Sequence, residues 1–349
     1  MNFRLLAEDC VEYKDKIFFC STNCNVIFSL NRNDKRIVLE SCIPEEGASA
    51  RRLSSKLLIW KESIIFVPMN SKKMWIWDIS NNKWSSIDIP TLGVTKNRFF
   101  QACIYGDYIY MIGCATPAIV CVDMTSHAVK MITSPFSSLL KRKRREEDII
   151  FRTNYVRLCN FIYLASCVDN SVIEFNLETE VVKIYSVGNK ENRYSGIIYD
   201  GKYFWLCPRY EAKVFRWEKD LNELVAFDIN ISTNEKHILG GICKINEKQF
   251  LLAAICGGSI IFSEHNGVIN SKSKNSNYLF AKKEYDHIYM LDDNSTYTEI
   301  YREKRSDVIL EIDREKLWRF IRERRQLNVN FCIQENKSFE LQDYIKVIG

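Results

Sequence analysis

Ala102-Cys103-Ile104-Tyr105-Gly106-Asp107-Tyr108-Ile109-Tyr110-Met111 reads as two short strands joined by a two-residue turn. Both runs are β-branched or aromatic, and Gly106 accepts positive φ without strain, which is a hairpin signature. The pattern of apolar run, polar turn and apolar run recurs along the chain. Tyr13 and Ile17-Phe18-Phe19 flank Lys14-Asp15, and Leu57-Leu58-Ile59-Trp60 and Ile64-Ile65-Phe66-Val67 flank Lys61-Glu62. Tyr155-Val156-Arg157-Leu158 and Phe161-Ile162-Tyr163-Leu164 flank Asn160; Gly196-Ile197-Ile198-Tyr199 and Tyr203-Phe204-Trp205 flank Asp200-Gly201. Gly241-Ile242-Cys243 and Phe250-Leu251-Leu252 flank Asn246-Glu247, and Tyr278-Leu279-Phe280 and Ile288-Tyr289-Met290 flank Tyr285-Asp286. Turn residues at 15, 62, 106, 160, 201, 247 and 286 give intervals of 47, 44, 54, 41, 46 and 39. Four-stranded propeller blades repeat every 40 to 50 residues, roughly the same spacing.

A second pair of strands follows in most units. Met74-Trp75-Ile76-Trp77-Asp78 turns through Asn81-Asn82 into Trp84-Ser85-Ser86-Ile87, and Val120-Cys121-Val122-Asp123 turns into Val129-Lys130-Met131. Ile173-Glu174-Phe175-Asn176 leads to Val181-Val182-Lys183-Ile184, and Val214-Phe215-Arg216-Trp217 to Leu224-Val225. The last strand alternates polar and apolar residues, as a strand with one wet face does. The expectation is an all-β chain: a single β-propeller of about seven four-stranded blades over 1–312, with six the alternative count. Beyond Ile312 the strand pattern stops. Asp313 caps a helix whose Leu317, Phe320 and Ile321 share a face, and Leu341, Tyr344, Ile345 and Ile348 mark a second helix from Phe339. The region 313–349 is therefore expected to be a helical C-terminal tail packed on the propeller, or a docking helix for a partner.

The segment Trp77-Asp78-Ile79-Ser80-Asn81-Asn82-Lys83-Trp84 resembles the aromatic-Asp and Trp signature of kelch repeats. Ile109-Tyr110-Met111-Ile112-Gly113 resembles the kelch strand that ends in a Gly-Gly doublet, although Cys114 stands where the second glycine would be. Val67-Pro68 replaces the doublet in the second unit, and Gly257-Gly258 matches it in the sixth. The resemblance to kelch-like propellers, and to the galactose-oxidase central domain among them, covers most of the chain in period but only three units in motif. It implies the fold. The copper site of galactose-oxidase relatives has no matching Tyr, His and Cys constellation here, so neither a metal nor another cofactor is expected.

Composition narrows the function classes. A net charge of +5 over 349 residues is too weak to argue for nucleic acid. No run reaches the 18 or so apolar residues of a membrane span, and Met1 to Cys10 lacks a signal-peptide core, so a cytoplasmic location is expected. The 13 cysteines follow no disulfide spacing; Cys103, Cys121, Cys159 and Cys243 lie in apolar runs and are expected to be buried free thiols. Lys141-Arg142-Lys143-Arg144-Arg145 is followed by three acids and reads as a solvated loop, or as a contact for an anionic partner.

One recurrence points to a site. Arg98, Arg152 and Arg193 each stand eight residues before their unit's turn residue, and Arg52 ten before Glu62. Equal offsets would bring these arginines to one mouth of the central channel, where a guanidinium suits a carboxylate or phosphate. The alternative is pairing within the fold. Tyr194 follows Arg193, and Arg209 and Tyr210 lie in a loop expected on the same face; both residue types are common interface anchors. The expected function is a non-catalytic cytosolic binding or scaffold propeller for a protein partner, an anionic small molecule or a glycan. The alternative is a lyase or hydrolase acting on an anionic sugar or metabolite at the same mouth, with catalytic residues that sequence alone does not nominate.

Overall fold

The structure, a computed structural model, describes residues 2–133, 148–152, 154–211, 213–229, 238–246, 248–256, 258–265, 268–274, 277–302 and 304–328, with Phe136 and Leu139. Among them the chain forms seven four-stranded antiparallel sheets, each from four consecutive strands: 7–41, 54–88, 99–132, 155–186, 194–228, 238–274 and 278–309. These are blades 1 to 7 of a seven-bladed β-propeller, not six. One helix, α1 (Arg314–Asn328), follows them.

Two kinds of turn recur among the hairpins. Between first and second strands the loop has two residues in five blades, closed by Tyr13 with Lys16, Trp60 with Ser63, Tyr105 with Tyr108, Leu158 with Phe161 and Glu284 with His287. The first loop residue takes positive φ in each: Lys14 53°, Lys61 55°, Gly106 58°, Cys159 53° and Tyr285 53°. Between third and fourth strands a short polar side chain folds back on the backbone. Asp123 Oδ1 accepts from Thr125 N at 2.8 Å and Ser126 N at 3.1 Å, and Asn176 Oδ1 from Glu178 N at 2.9 Å and Thr179 N at 3.0 Å. Asp78 Oδ1 does the same for Asn81 N at 3.0 Å, and hydrogen bonds from the Asn81 and Ser80 side chains hold its carboxyl down at about 2. Four residues after each polar residue the backbone again turns to positive φ, at Asn82, His127 and Glu180.

Side chains alternate between the two faces of each sheet, so neighbouring blades share a core. Phe18, Phe66, Trp75 and Trp77 pack between blades 1 and 2, and Trp205, Phe250 and Phe262 between blades 5 and 6. At the end of the second strand of blade 3, a Cβ on Gly113 would lie 1.8 Å from Thr116 O, so only glycine fits there.

By contacts the chain divides into two compact units, one of 1–91, 294–297 and the chain from 307, the other of 92–293 and 298–306. In the first, Asn2–Arg4 pairs antiparallel with Glu311–Asp313. Asp313 Oδ1 then accepts from Lys316 N at 2.9 Å and caps α1. Leu317 and Ile321 are buried, and α1 touches the fourth strand of blade 1. The second helix expected from Phe339, and residues 141–147 of the basic run, lie outside the described residues.

The cysteine expectation needs one correction. Cys103, Cys121 and Cys243 are buried and free, but Cys159 is exposed, because it occupies the two-residue turn of blade 4 and not the strand before it.

Candidate functional site

The arginines share a distance from a turn, and strand pairing shows which of them are equivalent. In blade 3, Phe99 opens the first strand opposite Gly113, and the carbonyl of the preceding Arg98 accepts from Cys114 N at 2.8 Å. In blade 5, Tyr194 opens the strand opposite Pro208, and the Arg193 carbonyl accepts from Arg209 N at 3.0 Å. Arg98 and Arg193 therefore hold the same backbone position. In blade 2, Leu53 holds it, accepting from Met69 N at 2.9 Å, and Arg52 stands one residue further out. In blade 4 the matching bond runs from Cys167 N to Ile150 O at 2.8 Å, so Arg152 lies two residues beyond that place.

The side chains diverge further. Arg52 Nε and Nη2 bind Glu8 Oε1 at 3.0 and 2.9 Å, an ion pair within the fold. Arg98 is 1% exposed, and burial pulls its guanidinium down to about 10. Arg193 Nη1 donates to the carbonyls of Lys190 at 2.6 Å and Asn192 at 2.7 Å, capping its own loop. Tyr194 is 0% exposed, and its hydroxyl donates to Val187 O at 2.9 Å, so it is a core residue and not a surface contact.

Arg152 and Arg209 both lie near Cys167. Arg209 Nη1 donates to Cys167 O at 3.4 Å, and its side chain also hydrogen-bonds the thiol. The positive charges of both arginines act on that thiol, and Arg152 also acts on Cys207. Burial outweighs them: the Cys167 thiol is pushed up, and Cys207 reaches about 12. Both sulfurs are therefore neutral thiols and not nucleophilic thiolates. The Arg209 guanidinium also lies 5.2 Å from the ring of Tyr210, which is 57% exposed. Beside them Asn192 Nδ2 donates to Glu211 Oε1 at 3.1 Å.

The floor of this region is built by residues that sequence reading did not single out. Asn154 Oδ1 accepts from Ile242 N at 3.1 Å, joining the first strands of blades 4 and 6. A Cβ on Gly196 would meet Asn154 Oδ1 at 3.0 Å and Gly241 Cα at 3.2 Å, so glycine lets three strands close in. Ser195 Oγ donates to Cys207 Sγ at 3.2 Å. Cys167 had a sequence signal: it directly follows Ser166 at the end of a second strand, as Cys114 follows Gly113. Arg209, half-buried beside exposed Tyr210, carries the planar donor fork that can hold a carboxylate or a phosphate.

No protein-family model matches the chain, and no curated protein matches it. Solved structures do. Virginiamycin B lyase from Staphylococcus aureus superposes with a TM-score of 0.58 at 11% identity, over 83% of this chain and 94% of that one. BamB from Moraxella catarrhalis gives 0.54 at 11%, over 88% and 90%. The extracellular domain of a one-component system from B. thetaiotaomicron gives 0.59 at 9%, over 82% of this chain and 37% of that one. At such identities the likeness is one of fold.

Proposed function

We propose that the chain is a non-catalytic binding propeller of the cytoplasm that holds an anionic group of a protein or small-molecule partner at the loops of blades 4 and 5. The observation that carries this reading is that Arg152 and Arg209 both lie near Cys167, with Arg209 beside exposed Tyr210. Both positive charges act on the same thiol, and the guanidinium fork suits a carboxylate or a phosphate. Propellers of this fold include a lyase and BamB, so the fold itself does not choose a role. A kelch-like origin for the blades is supported by a repeated contact. Trp77 Nε1 donates to Asn82 Oδ1 at 3.1 Å in blade 2, and Trp217 Nε1 to Asn222 Oδ1 at 3.0 Å in blade 5.

The test is the double substitution Arg152→Ala with Arg209→Ala, titrated with a glutamate-rich peptide and with inorganic phosphate. Binding of at least one of these anions to the native protein should be lost in the variant. The melting temperature should fall only modestly, by what a few lost hydrogen bonds of about 1 kcal/mol each imply. Unchanged anion binding, with a large loss of stability, would show that these arginines only hold blades together.

A further inference from the structure

The outer edge of a blade is an open row of backbone donors and acceptors, and proteins guard such edges with charge, above all lysine, or cover them. Five of the seven fourth strands follow the rule. They carry Lys83 in blade 2, Lys130 in blade 3, Lys183 in blade 4, Lys272 and Lys274 in blade 6, and Lys304 and Arg305 in blade 7. Two do not. The fourth strand of blade 1, Ile37–Ser41, has no basic residue, and α1 packs against it. The fourth strand of blade 5, Glu223–Asp228, reads Glu-Leu-Val-Ala-Phe-Asp and has none either. Among the described residues it pairs only with the third strand of its own sheet, although it touches the outer strand of blade 6. Val225 is 42% exposed, and Leu221, in the turn before it, is 64% exposed.

The charge around this edge indicates what covers it. Glu218 and Glu223 stand directly opposite each other across the ladder, a like-charge pair that destabilises a hairpin end. Asp220 adds a third acid in the same turn, and Asp228, opposite Lys213 of the third strand, closes the far end, so the acidic excess lies at the Glu223 end. Lys219, the basic residue of the turn, is committed to Glu174 and Tyr163 of blade 4, at 3.1 Å each. A second copy of the same strand fits poorly, since antiparallel self-pairing sets Glu223 against the other copy's Asp228.

We propose that the fourth strand of blade 5 is a β-augmentation site that takes an extended, basic-ended segment of a partner protein as a fifth strand. Main-chain hydrogen bonds supply the affinity, Val225 supplies an apolar contact, and the terminal lysines of the partner answer Glu223 and Asp228. The site is independent of the arginines of blades 4 and 5.

The probes are two synthetic peptides, Lys-Val-Thr-Val-Thr-Lys, whose end lysines have the spacing of Glu223 and Asp228, and its twin with glutamate at both ends, titrated against the full chain by fluorescence anisotropy. The lysine-ended peptide should bind the native protein and the glutamate-ended twin should not. Glu223→Lys should weaken the lysine-ended peptide by about tenfold. Val225→Lys, which restores the guard found on the other blades, should abolish it. Both positions are exposed, so the melting temperature should hold; Glu223→Gln provides a milder variant with the same direction of effect. Equal binding of the two peptides, or equal binding by native and variant proteins, would overturn the proposal. So would concentration-dependent dimerisation of the native chain that Val225→Lys removes, because the occupant would then be a second copy.

Discussion

Asp9 shows how single residues hold the blades together. A bulge between Ala7 and Cys10 interrupts the first strand of blade 1, where Glu8 and Asp9 stand side by side and both reach blade 2. Glu8 binds Arg52, while Asp9 Oδ2 accepts from Leu57 N at 3.0 Å and pairs with Lys56 Nζ at 3.1 Å. Lys56 and Asp9 are 13% and 5% exposed as side chains, so removing one strands the other away from water. Asp9→Ala should cost about 3–5 kcal/mol, read from urea unfolding; a loss under about 1 kcal/mol would show that the pair is solvated. Cys159 is the opposite case. It is the one exposed thiol among the described cysteines, and it sits at φ 53° where blade 3 has glycine. A thiol reagent should label Cys159 in the native protein while Cys103, Cys207 and Cys243, each pushed by burial up to about 12, stay unlabelled. Rapid labelling of those three would mean that the blade cores open.

Among the elements, the third-to-fourth turn of blade 5 is the clearest clamp. It places Lys219 Nζ between Tyr163 Oη and Glu174 Oε2 of blade 4, and Tyr185 Oη donates to the same carboxylate at 3.3 Å. Burial pushes the Glu174 carboxyl up, but hydrogen bonds from Tyr163 and Lys219 outweigh it and leave the group below its ordinary value. A carboxyl lowered by folding contributes stability above its unfolded value and loses it as pH falls through the folded one. Lys219→Met should therefore destabilise by about 1–3 kcal/mol near pH 7. It should also flatten the stability profile between about pH 5 and pH 3 relative to the native protein; identical profiles would remove Glu174 from the account. Elements of this kind were largely legible in the sequence. Aromatic and β-branched runs broken by Gly106-Asp107 or Asn81-Asn82 located the hairpins. Counting from turns failed for the arginines because blades differ in bulges and loop lengths. Blade 5 closes its first hairpin with four residues, 200–203, and blade 3 with two, and bulges fall after Ser54, Phe99 and Tyr194. Only Arg98 and Arg193 keep a common place through those differences.

For the molecule as a whole, period identified the fold, while the long-range closures were out of reach. The ladder of Asn2–Arg4 with Glu311–Asp313 uses three residues on each side, too few to carry a pattern, and its partners lie more than 300 positions apart. The site was legible only in part for a related reason. Residue type put arginine near the right loops, but burial decides its use, and burial depends on packing that a linear count does not contain. Of the arginines singled out, Arg52 is spent on Glu8 and Arg193 on its own loop, whereas Arg152 and Arg209 both lie near Cys167. The central claim is that this place holds an anion. Crystals of the native chain soaked in selenate, an anion with a strong anomalous signal, test it directly. The account predicts an anomalous peak within hydrogen-bond distance of both the Arg152 and Arg209 guanidiniums, lost in the Arg152→Ala, Arg209→Ala variant. Selenate bound elsewhere on the chain, with no anomalous peak beside either guanidinium, would contradict it.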